Sequence, residues 1–304
     1  MREDGSQAIT GFMTQQTLNG GFANRTLFEQ AGVALPGPGA TWDEWVAASA
    51  AVAANQGTAA AFAIDRSGHR ISGPNVSFGA NYIGPDGLPA PVDAGVKAFG
   101  ERLVNWVAEG KMLRDTWVAA AGATYRAAAD DFINAEIPFC YSGSWQIANF
   151  STRIGDTFDW VATGSPCGTV GCSGVAGGAA LVAVRYTEHP EVVARVMEFL
   201  ARADIVREFS ERTLFLPAHA GVVAEGGLNW QTDDPNVGPA LDKFVAAMTE
   251  IEPTAAALPA WRWSSVYYAA LVSRLSQVMA GELTLDEAWT RIDADISEAV
   301  AAAQ

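Results

Sequence analysis

At 304 residues, 49% hydrophobic and 17% charged, the chain is long enough for two compact domains with sizeable cores. Its 10 Trp and 14 Phe exclude a disordered polypeptide, which has too few aromatics to drive burial. A net charge of −15, from 19 basic against 34 acidic residues, would repel nucleic acid and anionic membrane surfaces alike.

No stretch approaches the roughly 20 apolar residues of a membrane span. The opening Met1-Arg2-Glu3-Asp4-Gly5-Ser6 is polar and acidic, unlike a signal peptide. On this reading the chain either works in the cytoplasm or has its true beginning upstream of Met1.

Residues 11–23 are small and polar and show no clear period. A short helix over 27–31 ends at Gly32, and Pro36-Gly37-Pro38-Gly39 is a loop. Thr41 with Glu44 has the spacing of a capping box, and Trp42, Trp45 and Val46 give the helix that follows an apolar side. Residues 60–64 read as a buried strand and Arg66-Ser67-Gly68-His69-Arg70 as a polar turn. An amphipathic helix covers 96–109, stopped by Gly110; a helix is expected over 125–134 and a strand over 137–141. Gly143-Ser144-Trp145 then opens another helix.

A strand at 160–162 leads to Cys167 and Cys172, which bracket a glycine-containing turn. A disulfide there would place the chain in an oxidising compartment. Two thiolates without a nearby His make a poor metal set, and two free thiols in a loop are the remaining reading. Cys140 reads as a small buried hydrophobe. A buried strand is expected at 179–184, a helix from Pro190 with Val193, Val196, Phe199 and Leu200 at helical spacing, and an extended segment at 213–217. The chain is mostly helical from Pro239, with a second capping box at Thr284 and Glu287. Alternating helices and strands imply an α/β architecture with mainly parallel strands.

Catalytic chemistry is hard to assemble. The glycines at 171–178 lead into a strand and no Lys follows, so they do not form a phosphate loop. Gly143-Ser144-Trp145 lacks the flanking glycines of a nucleophile elbow. His189 and His219 read as surface residues. Asp130-Asp131 and Asp233-Asp234 are adjacent pairs, which point apart rather than across a cleft. What remains is a set of aromatics, Tyr82, Trp145, Trp261, Trp263 and Tyr267, of the kind that faces sugar rings, balanced by the equally simple reading that each is core. Trp145 follows Gly-Ser at a strand end, which favours a cleft mouth.

Five stretches in order resemble the family 1 extracellular solute-binding proteins, the sugar-receptor subunits of ABC importers that include maltose-binding protein. They are Asn24-Arg25-Thr26-Leu27-Phe28-Glu29-Gln30-Ala31-Gly32; Thr41-Trp42-Asp43-Glu44-Trp45; Phe132-Ile133-Asn134-Ala135-Glu136-Ile137-Pro138-Phe139 with Gly143-Ser144-Trp145; Gly177-Gly178-Ala179-Ala180-Leu181, followed by the Pro190-Glu191 helix and Thr213-Leu214-Phe215-Leu216-Pro217; and Gly281-Glu282-Leu283-Thr284-Leu285-Asp286-Glu287-Ala288.

The resemblance implies a periplasmic-binding-protein-like α/β fold of two lobes that close on a sugar. It places the second lobe at residues 14–173 plus 235–304, nearly complete. Residues 1–13 plus 174–234 become crossover segments and a remnant of a first lobe that lacks its N-terminal part. It implies a non-catalytic receptor for a mono- or oligosaccharide, ABC permease subunits as partners, no cofactor and no metal. The location implied is extracytoplasmic, with a lipid anchor on the full-length protein. Residue by residue, Trp145 becomes the stacking platform, Gly177 and Gly178 the hinge side of the cleft, and Trp261, Trp263 and Tyr267 further aromatic contacts. His69 and Arg70 face the cleft from a loop, able to bond hydroxyls or an acidic sugar group, and Gln16 lies near the crossover. The rival functions are a glycoside hydrolase or lyase using cleft carboxylates, and an interaction module without a small ligand.

Overall fold

A computed structural model describes residues 10–119 and 124–303 of the chain. Of the segment 1–13 expected in the first lobe, residues 1–9 lie outside the described residues. The first half of the chain runs β1 (Gly11–Asn24), α1 (Arg25–Ala31), α2 (Trp42–Gln56), β2 (Phe62–Ile64), α3 (Gly68–Ser77), α4 (Ala94–Ala108), α5 (Ala128–Ile133) and β3 (Phe139–Gly143). Then come α6 (Ile147–Ile154), β4 (Trp160–Gly164), β5 (Ala176–Val182), α7 (Pro190–Leu200), α8 (Ala203–Thr213) and β6 (Leu216–Pro217). The chain continues through α9 (Ala220–Glu225), α10 (Val237–Ala247) and α11 (Pro253–Ala257) to α12 (Ser264–Ala280) and α13 (Leu285–Ala302).

Local chemistry sets many of these bounds. The Asn24 side chain caps α1 by accepting from the Leu27 amide, and Gly32 closes it in the left-handed conformation. Both expected capping boxes form: Thr41 and Glu44 open α2, and Thr284 and Glu287 open α13. In each, the Glu carboxylate accepts the cap residue's own amide, which holds its pKa below the usual range.

The segment without a readable period is the longest strand. The second half of β1 lies in a sheet of order β2-β3-β1-β4, and its first half pairs with β5 and β6. The expectation of mainly parallel strands is therefore corrected. Among the described strands only β2 and β3 pair in parallel; β1 runs antiparallel to β3, β4, β5 and β6. Alternating helices and strands do not reveal that one strand serves two ladders. Apolar alternation is lost in β1 because Thr14, Gln15, Gln16 and Thr17 precede Gly20 and Gly21. The latter glycines are sites of close approach: a Cβ on Gly20 would collide with the Phe244 ring, and one on Gly21 with Phe139.

Within the main sheet the faces alternate as a pleat requires. Ala23, Phe62, Ile64, Phe139 and Tyr141 point to one core with Trp42, Phe99, Trp106, Leu271 and Trp289. Leu18, Phe22, Ala63, Cys140, Trp160 and Ala162 point to the other with Phe132, Phe150 and Phe244. Thus α2, α4, α12 and α13 cover one face, and α5, α6 and α10 the other. Cys140 is buried and free, as its apolar run suggested. Cys167 and Cys172 are joined by a disulfide. Their loop is pinned at both ends, by the Cys167 carbonyl accepting Trp42 N at 3.0 Å and by Val170 N donating to the Ser77 carbonyl at 2.9 Å.

The part beyond β4 is less buried. β5 starts three residues earlier than expected and is exposed rather than buried at its far end, with Leu181 at 40% and Val182 at 52%. The apolar stripe predicted for α7 forms on a real helix, yet none of its residues is buried. The segment at 213–217 is helical at Thr213, which ends α8, and a strand only at Leu216–Pro217. The helix expected at 125–134 is confined to α5.

Phe22 has no exposed surface and packs against Phe150 (4.9 Å between centroids), Phe244 (5.6 Å) and Trp160 (6.0 Å). Phe22→Ala opens a cavity where sheet and helices meet, and should lower unfolding free energy by about 3–5 kcal/mol in urea denaturation. A loss below about 1 kcal/mol would show that this core is not close-packed.

Candidate functional site

Trp145 stands where β3 ends. Its indole lies across Gly143, where a Cβ would collide with the ring, so the glycine is what admits it. The preceding Ser144 is buried, and its Oγ accepts the Leu18 amide at 3.2 Å, tying the platform to β1.

The segment read as a polar turn opens α3, and His69 and Arg70 occupy its first turn rather than a loop. Gly68, and Pro74 inside the helix, obscure the helical pattern. The Arg70 guanidinium lies 5.0 Å from the Trp145 ring centroid. Its Nε is 2.9 Å from Asp65 Oδ2, with the N–H turned off that line, so the contact is an ion pair without an aligned hydrogen bond. Asp65 also accepts the Ala128 amide at 2.8 Å through Oδ1. The terminal nitrogens of Arg70 have no protein acceptor among the described residues.

His69 reaches the strands. Asn19 Nδ2, a donor, lies 3.4 Å from His69 Nδ1, so Nδ1 is the acceptor and Nε2–H donates to the Ala176 carbonyl at 3.2 Å. This fixes a neutral tautomer, and burial, reinforced by Arg70, holds the imidazole pKa below its ordinary value. Asn19 is almost fully buried; it also donates to the Ser142 carbonyl (3.1 Å), and its Oδ1 accepts Val175 N (3.3 Å). Gly177 and Gly178 lie inside β5, not before it, opposite Thr17 and Gln16. A Cβ at Gly177 would crowd Thr17 Oγ1 and His69, and Gly178 takes φ +142° where an added Cβ would collide with the Gln15 carbonyl. Gln16 also pairs with Leu216 of β6, so that β1 lies between β5 and β6 there.

The remaining aromatics form a separate group. Tyr82 and Tyr267 are fully buried and pack edge to face at 4.6 Å, and Asn75 Nδ2 donates to the Tyr82 hydroxyl at 2.7 Å. Trp263 is 6% exposed. Trp261 donates its indole N–H to the Gly87 carbonyl at 2.8 Å and meets Tyr267 at 6.3 Å. No ring contact or hydrogen bond joins these four to Trp145, His69 or Arg70 among the described residues.

The neighbour of Tyr267 is the one that meets α3. Tyr268 packs over Gly68, and its hydroxyl lies 3.4 Å from Ser72 Oγ. Successive residues on a helix point about 100° apart, so of two adjacent tyrosines only one enters the core. The sequence reading missed Tyr268, Asn19 and Asp65; the only signal for Tyr268 was the Tyr-Tyr pair itself.

Three of the four paired carboxylates are engaged elsewhere. Asp131 is paired with Arg126, Asp130 with Arg153, and Asp234 accepts the Asn236 amide. Among the described residues no His, Cys, Asp or Glu cluster could hold a metal. A hollow of about 410 Å³ lies apart from Trp145, between Arg25, Trp160, Asn236 and Lys243.

The sequence model for bacterial extracellular solute-binding proteins matches residues 2–239. The chain belongs to this family. Its members are non-catalytic binding receptors of ABC importers. No curated protein matches the sequence. Among solved structures, the GacH receptor of Streptomyces glaucescens, determined unliganded and with acarbose, superposes with a TM-score of 0.77 at 16% identity, over 96% of this chain and 71% of its own. An ABC substrate-binding protein of Listeria monocytogenes in complex with cycloalternan gives 0.79 at 15% identity, over 99% and 73%. The cyclic α-maltosyl-1,6-maltose binding protein of Arthrobacter globiformis gives 0.72 at 20%, over 97% and 72%. These likenesses establish the periplasmic-binding-protein α/β fold.

Because His69 is held neutral, its folded pKa lies below the unfolded value near 6.5. Its share of stability is complete above that pH and is lost as pH falls from 6.5 towards the folded pKa, the range in which only the unfolded chain takes up the proton. His69→Gln should therefore flatten the fall of thermal midpoint between pH 7 and pH 5. An unchanged slope would show that the imidazole is not buried neutral.

Proposed function

We propose that this solute-binding protein takes a saccharide on the ledge formed by Trp145, Arg70, His69 and Tyr268 and presents it to an ABC permease. The observation that carries this reading is the juxtaposition at Trp145. A partly exposed indole stands at a strand end, beside a guanidinium with unspent donors. A flat apolar face matches the C–H face of a pyranose, and the free N–H groups suit its hydroxyls. Sugars named with the three structural relatives are consistent with this class. Asp65 balances Arg70 and His69 is neutral, which favours an uncharged sugar over an acidic one.

Residues 14–173 with 235–304 serve in this proposal as one lobe, and 174–234 as part of the other. The drop in burial beyond β4, with α7 wholly unburied, supports a division there. Gly177, Gly178 and Gln16 then sit at the hinge, where His69 reaches across to β5. Trp261 lies at the edge of its aromatic group, where a longer ligand would meet it, while Trp263 and Tyr267 support that edge from within.

Calorimetry of the wild-type chain against a panel of neutral saccharides should give binding to at least one. Trp145→Ala should weaken that binding by about 10–100-fold through lost stacking and burial. An affinity within twofold of wild type would remove Trp145 from the site.

A further inference from the structure

The disulfide loop and the passage that follows it grip α3 at both ends. Beyond Cys172 the chain runs through Ser173, Gly174 and Val175 into β5. Val170 N donates to the Ser77 carbonyl at 2.9 Å and Ser173 N to Ser77 Oγ at 2.8 Å, both at the last residue of α3. In the first turn of the same helix, His69 donates to the Ala176 carbonyl at 3.2 Å. Asn19 joins the two ends, since its backbone N–H donates to the Val175 carbonyl at 3.2 Å and its side chain meets His69. A further tie holds the passage to the entry of α11, where Glu252 N donates to Ser173 Oγ at 3.3 Å.

The two cysteines stand differently. Cys167 is 8% exposed and bridged to Thr41: its amide donates to the Ala40 carbonyl and its carbonyl accepts Trp42 N, each at 3.0 Å. Cys172 is exposed, and no hydrogen bond of its own amide or carbonyl ties it to the molecule among the described residues. Its sulfur bond to Cys167 is what fastens it beside the start of α2. A disulfide restrains the chain by closing a loop, whereas each hydrogen bond at Ser77 and Asn19 is a modest net contribution. Cys140 stays out of any exchange, because it is buried and burial pushes its thiol pKa well up.

We propose that the Cys167–Cys172 disulfide is a redox clasp on α3: a dithiol opens it at the exposed Cys172, and the open form lets residues 172–176 leave α3, so that His69 and Arg70 lose their fixed place at Trp145. A thiolate of the dithiol attacks Cys172 Sγ, the bond to Cys167 breaks, and Cys167 leaves as a thiolate that takes up a proton. The second thiol of the reagent then displaces Cys172, which also takes a proton, and the dithiol becomes a cyclic disulfide. Two electrons and two protons pass to the cystine.

The test is reduction of the full chain by dithiothreitol without denaturant, followed by alkylation, hydrogen exchange and NMR titration of His69. Alkylation should mark Cys167 and Cys172 and spare Cys140. Amide exchange at 173–178 and at the end of α3 should quicken by about 10-fold or more on reduction, while α12 and α13 keep theirs. The His69 midpoint, held low by burial, should rise towards its ordinary value. The double variant Cys167→Ser, Cys172→Ser should behave as the reduced protein and show no response to the dithiol. Reduction only in denaturant, or exchange that quickens equally throughout the chain, would make the bond a plain structural staple and overturn the clasp. An unmoved His69 midpoint beside quickened exchange at 173–178 overturns its link to the ledge. None of these readouts needs a ligand, so their outcome is separate from that of the sugar-binding reading.

Discussion

Everything in this molecule is organised around one strand that belongs to two ladders, and around the side chain that pins it at the changeover. Up to Leu18, β1 pairs with β5; from Asn19 onward it pairs with β3, and from Gly21 with β4 as well. Asn19 is buried there with its amide spent on Ser142, His69 and Val175, which belong to β3, α3 and the entry to β5. A buried amide must satisfy its donors and acceptor locally, so these three segments are fixed relative to one another. Any relative movement of the two ladders passes through this point.

The ledge follows from that constraint. His69 is held between Asn19 and Ala176, which orients the first turn of α3 and so delivers Arg70 over the ring of Trp145. Gly143 and Gly177 are glycines because a side chain at either would occupy space taken by Trp145 or His69. Arg70 is balanced by Asp65 within a chain that carries −15 overall, so in the proposed site donors and flat apolar faces would outweigh long-range attraction.

The outer part of the molecule obeys a different balance. On β5 and α7 the apolar side chains Leu181, Val192, Val196 and Phe199 lie open to solvent. Helix formation in α7 needs only local periodicity and Pro190 at its first position, and both are present. Burial of its stripe is a separate, tertiary event. The superposed relatives are longer chains, of which this one spans 71–73%.

The helices were largely legible because their signals are local. Thr41 with Glu44, Thr284 with Glu287, and the left-handed glycines Gly32, Gly57 and Gly281 state where helices begin and end within a few residues of sequence. The family was legible too, since ordered short motifs survive where overall identity to the superposed structures is 15–20%. β1 was not legible, because its face changes partners halfway and its glycines answer to Phe244 and Phe139, residues far along the chain. Nor did the sequence tell Tyr267 from Tyr268: composition supplied two tyrosines, and only the packing of α12 on α3 sent one to the core and left the other against Ser72. By itself the sequence determined most of the helices, the family and the aromatic supply. The tertiary structure alone decided which aromatic stands beside an unspent guanidinium, because that depends on contacts between residues far apart in the chain.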